Sequence, residues 1–108
     1  MGVLNEVARA ELHGHVIEVE AAARMAIEYR LLVDRVQVDS ATARVPGTRL
    51  LRGDLPGEEG DFVVHVKQGL ARTRYVLDAD GRETPMVVSP LTRSDRRRRR
   101  TQYRRRID

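Results

Sequence analysis

The 108-residue chain predicts an all-β fold: an antiparallel β-sandwich of seven or eight short strands, followed by a basic C-terminal tail. Three observations carry that reading. Apolar residues recur at every second position in several short runs, and a period of two sends successive side chains to opposite faces of a sheet. Turn residues separate those runs at short intervals. The stretch 62–83, FVVHVKQGLARTRYVLDADGRE, combines both signals, and the rest of the domain is expected to pack against it.

The first strand is expected over 7–12, and His13 with Gly14 turns the chain into a second over 15–21. There Ile17, Val19 and Ala21 point one way, and Val16, Glu18 and Glu20 the other. The run AAARMA at 21–26 introduces a competitor, because alanine favours helix and a helix over 16–32 is conceivable. A strand over 27–33 is preferred. Ile27, Tyr29, Leu31 and Val33 alternate with Glu28, Arg30 and Leu32, and β-branched and aromatic residues suit a pleated surface. Asp34 and Arg35 then turn the chain into a strand over 36–42, with Val36 and Val38 opposite Gln37 and Asp39.

Pro46 and Gly47 break the pattern, and a weak strand over 48–52 has Leu50 and Leu51 as its apolar content. Residues 53–60 read as an exposed loop by composition. In the strand over 62–67, Phe62, Val64 and Val66 share one face while Val63, His65 and Lys67 share the other. After a turn at Gln68 and Gly69, a strand over 71–78 places Ala71, Thr73, Tyr75 and Leu77 on one side and Arg72, Arg74, Val76 and Asp78 on the other. Asp80 and Gly81 signal a type I′ hairpin, which needs positive φ at both central residues. A single returning strand over 82–88 is expected to run until Ser89 and Pro90 end it.

Length allows one domain, read as a sandwich over 1–91 and an arginine-rich tail over 92–108. The chain has no cysteine, so neither disulfides nor thiolate metal sites are expected, in keeping with a reducing compartment. No basic stretch followed by an apolar run opens the sequence, so no signal peptide is expected. No apolar run approaches the ~20 residues of a membrane-spanning helix. The expected location is cytoplasmic.

The net charge of +4 is unevenly distributed. Residues 93–108 hold nine Arg and two Asp, a charge of +7, while residues 1–92 sum to −3. Lysine occurs once, at Lys67. Runs of like charge repel and favour disorder, yet arginine is a good helix former. With Ser94 or Asp95 as N-cap the tail is expected to be disordered or a short helix.

The succession of an early HG turn, HVIEVE, a strand reaching Leu32, Val33 and Asp34, a loop with Leu51, Arg52 and Gly53, and finally VVHVKQGLARTRYVLDADGRE resembles the β-sandwich domain of the Fas apoptotic inhibitory molecule family over residues 7–88. The departures are the lack of tryptophan, Asp34 and Arg35 where an Asp-Gly pair is expected, and the arginine tail. The resemblance implies an eight-stranded, non-enzymatic sandwich that acts through protein contacts.

Candidate sites are few. In the tail, Arg93, Arg96, Arg97, Arg98, Arg99, Arg100, Arg104, Arg105 and Arg106 offer guanidinium forks to phosphates or carboxylates, and Tyr103 offers a ring for stacking. Such binding is independent of sequence and falls with salt. The polyanion could be an acidic protein, a nucleic acid or an anionic membrane surface. His13, His15 and His65 are an outside candidate for an open three-histidine zinc site, set against the simpler reading of solvated or polar-face histidines. Glu18 with Glu20, and Asp78 with Asp80, read as solvated acidic faces balanced by arginines such as Arg72 and Arg74. No activated nucleophile and no phosphate loop is present. The expectation is a non-enzymatic interaction module without a cofactor. Its alternatives are a nucleic-acid binder using the tail and a small metal-dependent enzyme on the histidines.

Overall fold

A computed structural model describes residues 5–23, 25–57, 60–69 and 71–90. The tail residues singled out above lie outside the described residues. Among the described residues nine strands are present: β1 (Asn5–Leu12), β2 (His15–Ala23), β3 (Ile27–Val33), β4 (Val36–Ala43), β5 (Gly47–Asp54), β6 (Asp61–Gln68), β7 (Thr73–Ala79), β8 (Arg82–Pro85) and β9 (Val87–Pro90). They form two antiparallel sheets, ordered β4-β3-β2-β1-β9 and β5-β6-β7-β8, and no helix occurs among the described residues. The fold is an antiparallel β-sandwich.

Alternation places the core. Ile17, Val19 and Ala21 of β2 and Tyr29, Leu31 and Val33 of β3 face Phe62, Val64 and Val66 of β6 and Tyr75 and Leu77 of β7, all buried. The alanine run stays extended, because β2 continues through Ala23 with Ala21 in the core and Ala22 opposite Asn5. Three hairpins turn through paired positive φ angles: His13 and Gly14 at 52° and 81°, Asp34 and Arg35 at 49° and 70°, Asp80 and Gly81 at 55° and 69°. These are the type I′ conformations whose twist matches flanking strands.

Two tyrosines fasten the sheets to each other. The Tyr29 and Tyr75 rings meet edge to face, with centroids 6.3 Å apart and planes at 70°. The Tyr75 hydroxyl crosses to donate to Glu6 of β1 at 2.7 Å, and the Tyr29 hydroxyl crosses the other way to donate to Gln68 of β6 at 3.1 Å. Burial and the adjacent Glu6 carboxylate push the Tyr75 phenol up beyond its ordinary range, so it stays a donor.

Three expectations are corrected. The returning strand over 82–88 is not continuous. β8 pairs with β7 in the second sheet, and β9 pairs with β1 in the first, so the chain changes sheets at Met86. Met86 is buried and its N–H still donates to the Tyr75 carbonyl at 2.9 Å. A sandwich corner of this kind arises where one strand serves both sheets. Pro85 and Pro90 stand on edge strands, where a missing N–H costs no ladder bond. Ser89 and Pro90 therefore belong to β9 and do not end the preceding strand.

The second correction concerns β4. The register of β3 and β4 shifts between Leu31 and Leu32, which pair with Asp39 and Gln37, leaving Val38 as the extra residue of a bulge. Val38 is thereby exposed, and a Cβ built on Gly53 would lie 3.3 Å from it. That same Cβ would stand only 2.7 Å from the Phe62 ring, so Gly53 is the residue that lets Phe62 lie flat in the core. Third, Glu18 and Glu20 are buried rather than solvated.

Candidate functional site

Each sheet turns one face away from the core, and the two faces differ. On the second sheet the register aligns Thr48, Lys67 and Arg74 in one row, Leu50, His65, Val76 and Pro85 in the next, and Arg52, Val63, Asp78 and Glu83 in a third. The first row runs into the β6–β7 turn, where the Gly69 N–H donates to the Arg72 carbonyl at 3.0 Å. Around that turn lies an open cleft of about 490 Å³, lined by Gly47, Thr48, Lys67, Gln68, Gly69, Ala71, Arg72 and Arg74. Lys67, Arg72 and Arg74 are all exposed, and none makes an ion pair among the described residues. Three cations with two glycines at their feet form a concave, positively charged surface suited to carboxylate or phosphate groups.

The first sheet spends its arginines differently. Arg9 donates to Glu18 at 2.6 Å and Arg30 to Glu28 at 2.7 Å. The expected balance of Glu18 and Glu20 by Arg72 and Arg74 does not occur, since those arginines belong to the other sheet. Arg9 and Arg30, the direct cross-strand neighbours, stand opposite Glu18 and Glu20 instead.

The three histidines do not converge. Each bonds its own aspartate: His13 to Asp80 at 2.7 Å, His15 to Asp34 at 2.6 Å, and His65 to Asp78 at 3.2 Å. His13 ties the β1–β2 turn of the first sheet to the β7–β8 turn of the second, beside a smaller cleft of about 320 Å³ lined in part by Glu11, Leu12, Leu77 and Arg82. Asp34 also accepts the Val16 N–H at 2.9 Å. The His15 bond first, and the Val16 N–H second, hold the Asp34 carboxyl below its usual range. His65 lies on the outer face of the second sheet, where its ring, Asp78 and Glu83 bring ligand atoms within 4.8 Å of one another. That grouping draws on strand neighbours: Asp78 stands opposite Glu83 across β7 and β8, and His65 bonds Asp78.

Phe62, Tyr29 and Tyr75 are all buried. The described surface therefore has no phenylalanine or tyrosine ring on which a base could stack. The cationic cleft was only partly legible in the sequence. Alternation puts Arg72 and Arg74 on one side of their strand and Lys67 on one side of its own, but only sheet pairing brings them together and adds Gly47 and Thr48 of β5. No helix of the described residues is long and apolar enough to cross a membrane. Comparison with protein-family models, with curated proteins and with solved structures returns no match.

Proposed function

We propose that this protein is a non-enzymatic binding module that holds an acidic protein segment in the cleft of Lys67, Arg72 and Arg74, with the tail arginines between Arg93 and Arg106 adding long-range attraction. The observation that carries this reading is the contrast in pairing: these three cations are gathered in one cleft and make no ion pair among the described residues, while Arg9 and Arg30 are paired. Unpaired, exposed cations retain their full field for a partner and pay no cost of breaking an internal bond. A protein partner is favoured over single-stranded nucleic acid because every described phenylalanine and tyrosine is buried. The resemblance to the Fas apoptotic inhibitory molecule family supports the same mode of action, and a cytoplasmic setting fits a chain without cysteine.

The test is a fluorescence-anisotropy titration of a poly-glutamate peptide and of a short DNA duplex, at several salt concentrations, with the full chain, with residues 1–92, and with the triple variant Lys67→Glu, Arg72→Glu, Arg74→Glu. Peptide binding that survives truncation and weakens about tenfold or more in the triple variant, a loss of ~1.4 kcal/mol, is the expected result. Peptide binding unaffected by the triple variant would overturn the assignment to the cleft. Duplex binding that disappears on truncation, with no peptide binding, would make the tail a nucleic-acid clamp.

A further inference from the structure

On the outer face of the second sheet two carboxylates are set directly against each other. Asp78 of β7 stands opposite Glu83 of β8. Like charges in that position repel. Asp54 and Asp61, opposed in the same way across β5 and β6, relieve the repulsion with a hydrogen bond between their carboxyls. Asp78 and Glu83 have a different neighbour. His65 of β6 lies on the same face and reaches diagonally across, with Nε2 3.2 Å from the Asp78 Oδ2. That contact is longer than the 2.7 and 2.6 Å at which His13 and His15 meet their aspartates, and it leaves the ring beside two carboxylates. Arginine does not balance them. The cross-strand neighbours of Asp78 are Val63 and Glu83, Arg52 stands beyond Val63 on β5, and Glu83 makes no ion pair among the described residues.

The donor atoms have the spacing of a metal shell. Around a tetrahedral ion with bonds of about 2.1 Å, neighbouring donors stand roughly 3.4 Å apart. The separation of His65 and Asp78 is already of that size, and one atom of Glu83 lies within 4.8 Å of both partners. Glu83 is exposed on an edge strand, so rotation of its own side chain closes the remaining gap. The backbone has no need to move, because all three residues stand on the paired strands β6, β7 and β8, and strands hold ligands more firmly than loops do. Imidazole with carboxylates suits zinc and its divalent transition-metal neighbours, whereas magnesium and calcium take oxygen ligands.

We propose that His65, Asp78 and Glu83 bind a zinc-class divalent transition-metal ion, with water in the remaining position. The ion takes the place of the His65–Asp78 hydrogen bond and cancels the repulsion of the two carboxylates. It also ties the edge of the sheet to its interior. β8 has four residues and pairs only with β7, and the chain leaves it at Met86 for the first sheet. A link from β6 to β8 therefore fastens the segment at which the chain changes sheets. Of the three histidines first considered for zinc, only His65 takes part, since His13 and His15 stand with Asp80 and Asp34 elsewhere. The site is independent of the cationic cleft and of the binding reading above.

The test is a calorimetric titration of the full chain with zinc chloride in a non-chelating buffer near neutral pH, beside thermal unfolding with and without zinc. One ion per chain is expected, with a Tm that rises with zinc concentration because the ion binds the folded state. Glu83→Gln keeps the size of an exposed side chain and is expected to weaken zinc binding at least about tenfold, since loss of a mere supporting residue already costs that much. His65→Gln is expected to do the same, and His13→Gln to keep the affinity of the parent chain. Ring ¹⁵N spectra of the parent chain are expected to show zinc shifting the His65 signals and leaving those of His13 and His15 in place, a readout that needs no variant to fold. Absence of zinc binding, binding indifferent to Glu83→Gln, or shifts at His13 or His15 in place of His65 would overturn the site. Magnesium or calcium binding as tightly as zinc would overturn the role of the imidazole.

Discussion

The two outer faces of this sandwich are built from the same alternating strands and have opposite fates. On the first sheet, Val7, Leu32, Glu18 and Glu20 are sealed and the arginines are engaged. On the second, Val63, His65 and Val76 are half-buried and Lys67, Arg72 and Arg74 stand open around a cleft. Strand periodicity says which residues share a face. It does not say whether water or another part of a protein lies on that face.

The largest expected effect tests that contrast directly. Leu32→Ala is expected to lose about 2–5 kcal/mol in urea denaturation, as a core truncation does, although Leu32 lies on the side away from the core. Val76→Ala, in the middle of the other outer face, is expected to lose well under that range. Equal and small losses would mean that the first face is open.

Next comes the link between the sheets. Tyr75→Phe removes the hydroxyl that reaches Glu6 across the sandwich. A hydrogen bond to a charged acceptor contributes about 1.5–3 kcal/mol, so a loss in that range is expected by thermal or urea unfolding. A negligible change would mean that Glu6 finds water in place of the phenol, and that this bond adds nothing to the hold between the sheets.

A smaller effect compares hairpins. The second sheet turns through Asp80 and Gly81, whereas the first turns through Asp34 and Arg35, with Arg35 at φ 70°. A left-handed conformation costs a side-chain-bearing residue about 1–2 kcal/mol, offset in part by the greater freedom of glycine in the unfolded chain. Arg35→Gly is expected to raise stability by up to ~1 kcal/mol. A loss would show that the Arg35 side chain holds the turn.

Acid titration gives the subtlest distinction, because one carboxylate on each sheet is shifted with opposite sign. Asp34 is held low by His15 and the Val16 N–H. Its folded pKa lies below its unfolded value of about 3.9, so its contribution is complete above that pH and is lost as pH falls through the folded value. Asp54 shares a proton-bearing contact with the directly opposite Asp61, and that hydrogen bond and repulsion raise its carboxyl. Its folded form binds a proton first, so stability gains from this pair as pH falls through the raised value. Asp34→Asn is expected to flatten the acid limb of a stability-against-pH curve, and Asp54→Asn to steepen it. Curves unchanged by both substitutions would show that neither contact persists in solution.

Much of this molecule was determined by local sequence. The period of two in 15–21, 27–33 and 62–67 put Ile17 and Val19, Tyr29 and Leu31, and Phe62, Val64 and Val66 each on one face of its strand, the faces that meet in the core, since side-chain direction in a strand needs only its neighbours along the chain. His13 with Gly14, Asp34 with Arg35 and Asp80 with Gly81 marked turns, and Gly14, Asp34, Asp80 and Gly81 are of the types, glycine and short polar residues, that tolerate positive φ. Tertiary structure decided the rest. The last strand splits at Met86 because each half completes a different sheet, and Val38 bulges because β4 must stay in step with β3 on both sides of Leu31. Glu18 and Glu20 have the spacing of an ordinary wet face, and only their burial reveals otherwise. The histidines met aspartates 67, 19 and 13 residues away rather than one another. Pairing, layering and cover join residues distant in the chain, and alternation along one strand carries no record of what lies across from it.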